Sequence, residues 1–155
     1  MLDGMNDRMV RAMYENLPVE ILMIDANDEI IGWNKHETRL FKRPLSAMGT
    51  DFRLFHPADS CAKAEQVIKE MKQGIRDKAN FWFDIKSDIT RKNHKIMVEM
   101  IALRNYDGTY LGCMQCTQDI EAYQHLQGER RLSDDPSYEF IQQALAPLPV
   151  AKVSG

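Results

Sequence analysis

Few residues in this chain are of a type that does chemistry, and those few are scattered. His56 stands in the run His56-Pro57-Ala58-Asp59, where a loop gives way to a helical pattern. A lone neutral imidazole can be an axial ligand to heme iron, so His56 is the candidate for holding that cofactor. Its competing role is structural, fixing the loop into the helix. His36, on a short polar segment, and His94, at a strand start, read as solvated surface residues. Cys113-Met114-Gln115-Cys116 has C-x-x-C spacing. It falls in a strand pattern, where residues three apart point to opposite faces. An iron–sulfur or zinc site is therefore not expected, and the two thiols read as small apolar strand residues. The sequence carries no nucleophile elbow, Gly-rich phosphate loop or paired-carboxylate motif. These features point away from an enzyme.

The bulk properties narrow the classes further. A chain of 155 residues fits one domain with appendages. Its net charge of −3 gives no broad basic surface, so nucleic acid is not an expected partner. No apolar run approaches the roughly 18–20 residues of a membrane span. The start, MLDGMNDRMV, is polar and acidic and does not read as a signal peptide. Three cysteines do not make a disulfide framework, and a reducing cytoplasm is the expected compartment. Ten methionines supply adaptable packing material, suited to a core or to the lining of a ligand cavity.

The elements that would position these residues follow from periodicity. Residues 6–16 read as a helix with Met9, Met13 and Leu17 along one stripe, ended by Pro18. Strands are expected at 21–25 and 30–34, joined by the turn-forming Ala26-Asn27-Asp28. Residues 35–41 read as a short helical segment with Leu40 and Phe41 facing inward, and 46–48 as a further short turn. A longer helix runs from Asp59 or Ser60, either of which could cap it, to about Gln73, with Gly74 as its stop. Ala64, Val67, Ile68 and Met71 form its apolar face, and Lys72 lies on the solvated side. Residues 79–86 alternate with period two. Residues 94–104 are apolar on both faces and need a second cover, which the first helix could supply. Asp107-Gly108 marks a tight turn before a last strand over 109–117. A helix is expected to open near Asp119 and continue to about Leu132. A short helix is plausible at 138–145, and the end of the chain reads as loose.

Asp25, Ile30, Trp33, Asn34, Gly49, His56, Pro57, Asp59 and the closing pair Asp119-Ile120 together resemble the motif pattern of PAS sensor domains. The likeness spans about residues 17–132. It is closest in feel to PAS domains attached to hemerythrin-like proteins of the DUF438 type. Two departures are Asp28, where Gly is common, and Glu121, where Thr is usual. The resemblance implies an α+β fold: a five-stranded antiparallel sheet with short helices on one face, an N-terminal helix and a C-terminal exit helix. It implies a capping or dimerising helix at 1–17, a PAS core at 18–119, a signalling helix at 120–132 and a partly disordered tail at 133–155.

The same resemblance implies a ligand pocket between the sheet and the helix at 59–74. Its lining would be Leu40, Phe41, Phe52, Phe55, Val67, Met71, Phe83, Val98, Met100 and Met114. Heme held by His56 is one alternative. A ligand-free interaction module, dimerising through Met9, Met13 and Leu17 with the sheet face, is another. The stretch HPADSCAKAEQ does not match the cysteine-bearing segment of flavin photoreceptors, so light sensing is not expected. No kinase, cyclase or DNA-binding motif is read, and the output partner is not legible. A ligand site should offer roughly 300 Å3 or more.

Overall fold

The computed structural model describes residues 4–86 and 93–134. Its elements are α1 (Asp7–Asn16), β1 (Glu20–Asp25), β2 (Ile30–Trp33), α2 (Ala58–Lys72), β3 (Lys78–Lys86), β4 (Asn93–Arg104) and β5 (Tyr110–Asp119). Short 3-10 turns occur at Leu45–Ala47, Phe52–Phe55, Glu121–His125 and Leu132–Asp134. The strands form one antiparallel sheet in the order β2-β1-β5-β4-β3. This is the α+β architecture that the resemblance to PAS domains implies. The chain divides into two compact units, Met1–Gln124 and His125–Gly155. The helix expected at 138–145 lies outside the described residues.

Strand alternation sorts the side chains into two layers. Leu22, Ile24, Met100 and Cys113 point to one face, where Ile68 and Met71 of α2 cover them. Met71 is fully buried, and burying a side chain of that size stabilises by roughly 1.5–3 kcal/mol. The other face carries Met23, Met97, Ile101 and Met114, all only half-buried. Gly112 sits where β5 crosses β1, paired with Asp25. A Cβ there would lie 2.1 Å from the Ile24 carbonyl oxygen, with φ at +156°. Only glycine allows that approach.

Three local expectations are corrected. Residues 35–41 are not helical. Lys35 adopts φ +53°, Thr38 closes a turn on the Lys35 carbonyl, and buried Arg39 donates to the carbonyls of Ile21, Asn34 and Phe41. Those tertiary hydrogen bonds hold the segment irregular. Next, α2 starts at Ala58 with Pro57 as its N-cap and no side-chain cap. Proline presets the backbone for a helix start, and Ser60 Oγ instead donates back to the Pro57 carbonyl. Finally, the exit segment is a 3-10 turn, Glu121–His125, rather than a helix reaching Leu132. Tyr123 and Leu126 are exposed and Gly128 takes φ +65°. A helix of that length with no apolar face to bury is not stable alone.

Asn6 caps α1 by accepting from the Met9 amide at 3.0 Å. The helix is held at the β1–β2 end of the sheet. Asn34 Nδ2 donates to the Tyr14 carbonyl at 2.9 Å, and the Lys35 amide donates to Glu15 Oε2 at 2.9 Å. The Tyr14 hydroxyl comes within 3.8 Å of the position a Cβ on Gly32 would occupy. Met9 and Met13 stay exposed.

Candidate functional site

The inner sheet face is where a PAS-like site would be sought, and it has two unequal halves. Over β1, β5 and β4 the cover by α2 is close. The cavity left there is about 20 Å3, bounded by Ile24, Phe52, His56, Ile68, Met100, Cys113 and their neighbours. That is room for about one water molecule. His56 Nδ1 lies 3.0 Å from the Phe52 carbonyl oxygen. A carbonyl can only accept, so Nδ1 carries the proton. The ring meets Phe52 edge-on at 5.3 Å. Burial lowers the His56 pKa and outweighs the hydrogen bond to Phe52 that raises it, with a smaller lowering push from Arg43. The space beside this imidazole, about 20 Å3, is much smaller than a porphyrin.

Over β3 the cover is thin. No residue of β3 is fully buried. Phe81 and Phe83 point to the inner face, as their register with Val98 and Ile96 requires, yet they are 43% and 37% exposed. Their rings stack at 6.4 Å, and Phe41 leans on Phe83 at 6.4 Å. Phe55 packs at the edge of the core, with the Arg43 guanidinium 6.0 Å from its ring centre. The result is an open aromatic face beside a filled core.

The residues expected to line one pocket are thus divided. Phe52, Met71, Val98 and Met100 are buried in the core, and Val67 packs against it. Phe41 and Phe83 meet at the open face, while Phe55 packs against the core. Leu40 borders a separate surface groove of about 370 Å3, shared with Glu20, Lys35, Thr117, Asp119 and Tyr123. Met114 pairs with Met23 and Ile101 on the opposite side of the sheet. Cys113 is buried and Cys116 half-buried, and the strand alternation turns them to opposite faces. His36, read as solvated, is exposed but accepts from Trp33 Nε1 at 3.0 Å. His94, read likewise, is half-buried and lies 2.5 Å from Asp119.

Sequence reasoning missed one charged hub. Asp28 is 7% exposed at φ +69°. It is paired with Arg53 at 2.9 Å and Lys72 at 2.7 Å, and so ties the first hairpin to the 3-10 turn and to α2. Arg53 also bonds Asp51 and Glu65. The hint was Asp28 itself, an acid where a turn would favour glycine.

Comparison with known proteins decides the family. A profile described as PAS domain matches residues 10–121. The chain belongs to the PAS domain family. Among solved structures, the C-terminal domain of a Streptococcus mutans protein is 27% identical, with TM-score 0.68, covering 79% of this chain and 91% of that one. The PAS domain of Bordetella pertussis BvgS shares the fold at 12% identity and TM-score 0.54, covering 90% and 100%. A sensory box sensor histidine kinase from Vibrio cholerae does so at 16% identity and TM-score 0.51, covering 72% and 89%. No curated protein matches the chain. Among the described residues of this PAS domain, no helix is long and apolar enough to cross a membrane.

Proposed function

We propose that this PAS domain is a non-catalytic signalling module that binds a small ligand on the inner face of β3 and passes the event to the segment after β5. One observation carries this reading. Phe83, Ile96 and Asp119 are direct cross-strand partners in a single row, so the open aromatic face lines up with the start of the exit segment. That start is fastened to β4: the Ile120 amide donates to the Lys95 carbonyl at 2.8 Å, and the Lys95 amide donates to Glu121 Oε2 at 3.0 Å. A ligand that binds two arrangements of this row unequally would shift their populations. Three free thiols, Cys113 buried among them, suit a reducing cytoplasm. The division into a 1–17 helix, an 18–119 core, a 120–132 exit segment and a 133–155 tail belongs to the same proposal.

A second reading has its own support. The filled core, with only about 20 Å3 of internal space, suits a ligand-free module that homodimerises. Met9, Met13 and Trp82 are 56%, 43% and 65% exposed, Leu17 ends α1, and the outer sheet residues Met97, Ile101 and Met114 are half-buried. Such an apolar surface is suited to a second copy. Native mass spectrometry of the protein as purified, with an absorbance scan, separates the readings. A retained non-protein mass supports the ligand sensor. A clean apo mass at dimer weight, with hydrogen exchange at residues 118–124 unmoved by cell-extract metabolites, would reject it for the interaction module.

A further inference from the structure

The charge on the loop that brings Phe41 against Phe83 at the open aromatic face narrows the ligand class, on the reading that this face is the ligand site. Arg43 is half-buried, and its Nε is shielded from solvent without a hydrogen-bond partner. No carboxylate among the described residues pairs with it. Its charged surroundings are cationic or titratable to cationic: Arg39 on the same loop and His56 at the foot of α2. Burial, then the nearby Arg39, lowers the Arg43 pKa. Arg39 is already engaged, with Glu20 at 3.7 Å and with backbone carbonyls. A guanidinium presents five donors in a rigid fork suited to a carboxylate. An unpaired, half-desolvated cation is costly unless something compensates it.

The apolar part of the site is equally specific. Phe81 and Phe83 lie within 19° of parallel, Phe41 is tilted against Phe83, and Arg43 sits over Phe55. Arg39 Nε holds the Phe41 carbonyl at 3.3 Å, so the loop that carries both Phe41 and Arg43 is anchored. We propose that the open face of β3 takes a small organic anion, a carboxylate on a flat apolar body, with the Arg43 guanidinium as its counter-ion. The apolar body lies against Phe81 and Phe83, and the carboxylate receives the unused donors of Arg43.

The test compares phenylacetate with the neutral isostere phenylacetamide on the whole chain. Binding is read from NMR shifts of the Arg43 Nε–H and of the Phe81 and Phe83 rings. The acid is expected to bind about tenfold more tightly than the amide, the size of one partly solvated charged hydrogen-bond pair. Arg43→Gln should erase that preference by weakening the acid far more than the amide, and Arg43→Lys should restore part of it. Equal affinities for acid and amide, insensitive to Arg43→Gln, would overturn the anion assignment and leave the aromatic face as a ligand site. If neither compound moves the Phe81 and Phe83 signals at millimolar concentration, both the assignment and the ligand-site reading fall.

Discussion

Asn34 offers the sharpest test of how this fold is held together. It is fully buried. Its Oδ1 accepts the Ile21 amide at 2.7 Å, and its Nδ2 donates to the Tyr14 and Val19 carbonyls at 2.9 and 3.0 Å. One side chain therefore joins α1, β1 and the end of β2. Asn34→Ala leaves a buried amide and two carbonyls without partners. An orphaned buried donor costs about 1–3 kcal/mol, and carbonyls that reach some water cost less. The expected loss is about 2–4 kcal/mol in urea unfolding, with an unchanged denaturant slope. Hydrogen exchange should show α1 losing protection before the sheet does, because the Asn34–Tyr14 bond ties it down. Asn34→Asp keeps the acceptor for Ile21 but turns an acceptor-only carboxylate oxygen onto the Tyr14 and Val19 carbonyls that Nδ2 now serves, so it should cost at least as much as the alanine despite Arg39 Nη1 nearby. A loss below about 1 kcal/mol for Asn34→Ala, or an α1 as protected as before, would refute this account of the hub.

Three other outcomes follow from the same structure. Gly112→Ala drives a Cβ into the Ile24 carbonyl oxygen; a loss of more than about 4 kcal/mol is expected in thermal or urea unfolding, and near-wild-type stability would contradict the observed β1–β5 crossing. His56 has a folded-state pKa held below its ordinary value, chiefly by burial. The unfolded chain therefore binds the extra proton more readily, so stability should fall as pH drops below the usual histidine range of about 6.5, and His56→Gln should flatten that slope in pH-dependent unfolding curves. Burial pushes the Cys113 thiol up to about 11; a disulfide reagent at neutral pH should label it only after denaturant is added, and prompt labelling of the folded protein would show that the strand opens.

How legible these features were depended on how local their causes are. The alternation over residues 79–86 predicts a strand whose two faces differ, and β3 spans Lys78–Lys86, because strand periodicity is written in adjacent residues. The stripe of Ala64, Ile68 and Met71 predicts the covering face of α2 for the same reason. Met114 was placed on the wrong side of the sheet for a related cause. The alternation was visible, but both faces of β5 carry apolar residues, so its phase relative to the core was not. Arg39 and Asp28 were illegible because their partners are remote. Arg39 binds the Ile21 carbonyl 18 residues away and Asp28 binds Arg53 25 residues away, and apart from an acid standing where a turn favours glycine, nothing in a local window distinguishes them from solvated charges. The thin cover over β3 was likewise hidden, since it depends on where α2 crosses a sheet wider than itself.

On the proposed ligand-sensor reading, that mismatch between helix and sheet is what would link packing to signalling. α2 buries the middle of the sheet, and the tight core there leaves nothing to rearrange. β3, an edge strand without a fully buried residue, is held by its pairing with β4, and β4 in turn holds the first residues beyond β5. A ligand resting on Phe83 therefore acts on the least constrained strand, one strand removed from Asp119 along the same row. The far end of that row is closed by His94 and Asp119 at 2.5 Å and by the amide contacts of Lys95. The most that binding can transmit is the difference in ligand affinity between the fastened and released exit segments. Asp119→Asn weakens the fastening without touching the aromatic face. If the row is the route, this substitution should raise hydrogen exchange at residues 120–124 in the apo protein and shrink the further change on ligand addition. A ligand response of undiminished size in Asp119→Asn would mean that the signal leaves β4 by another path.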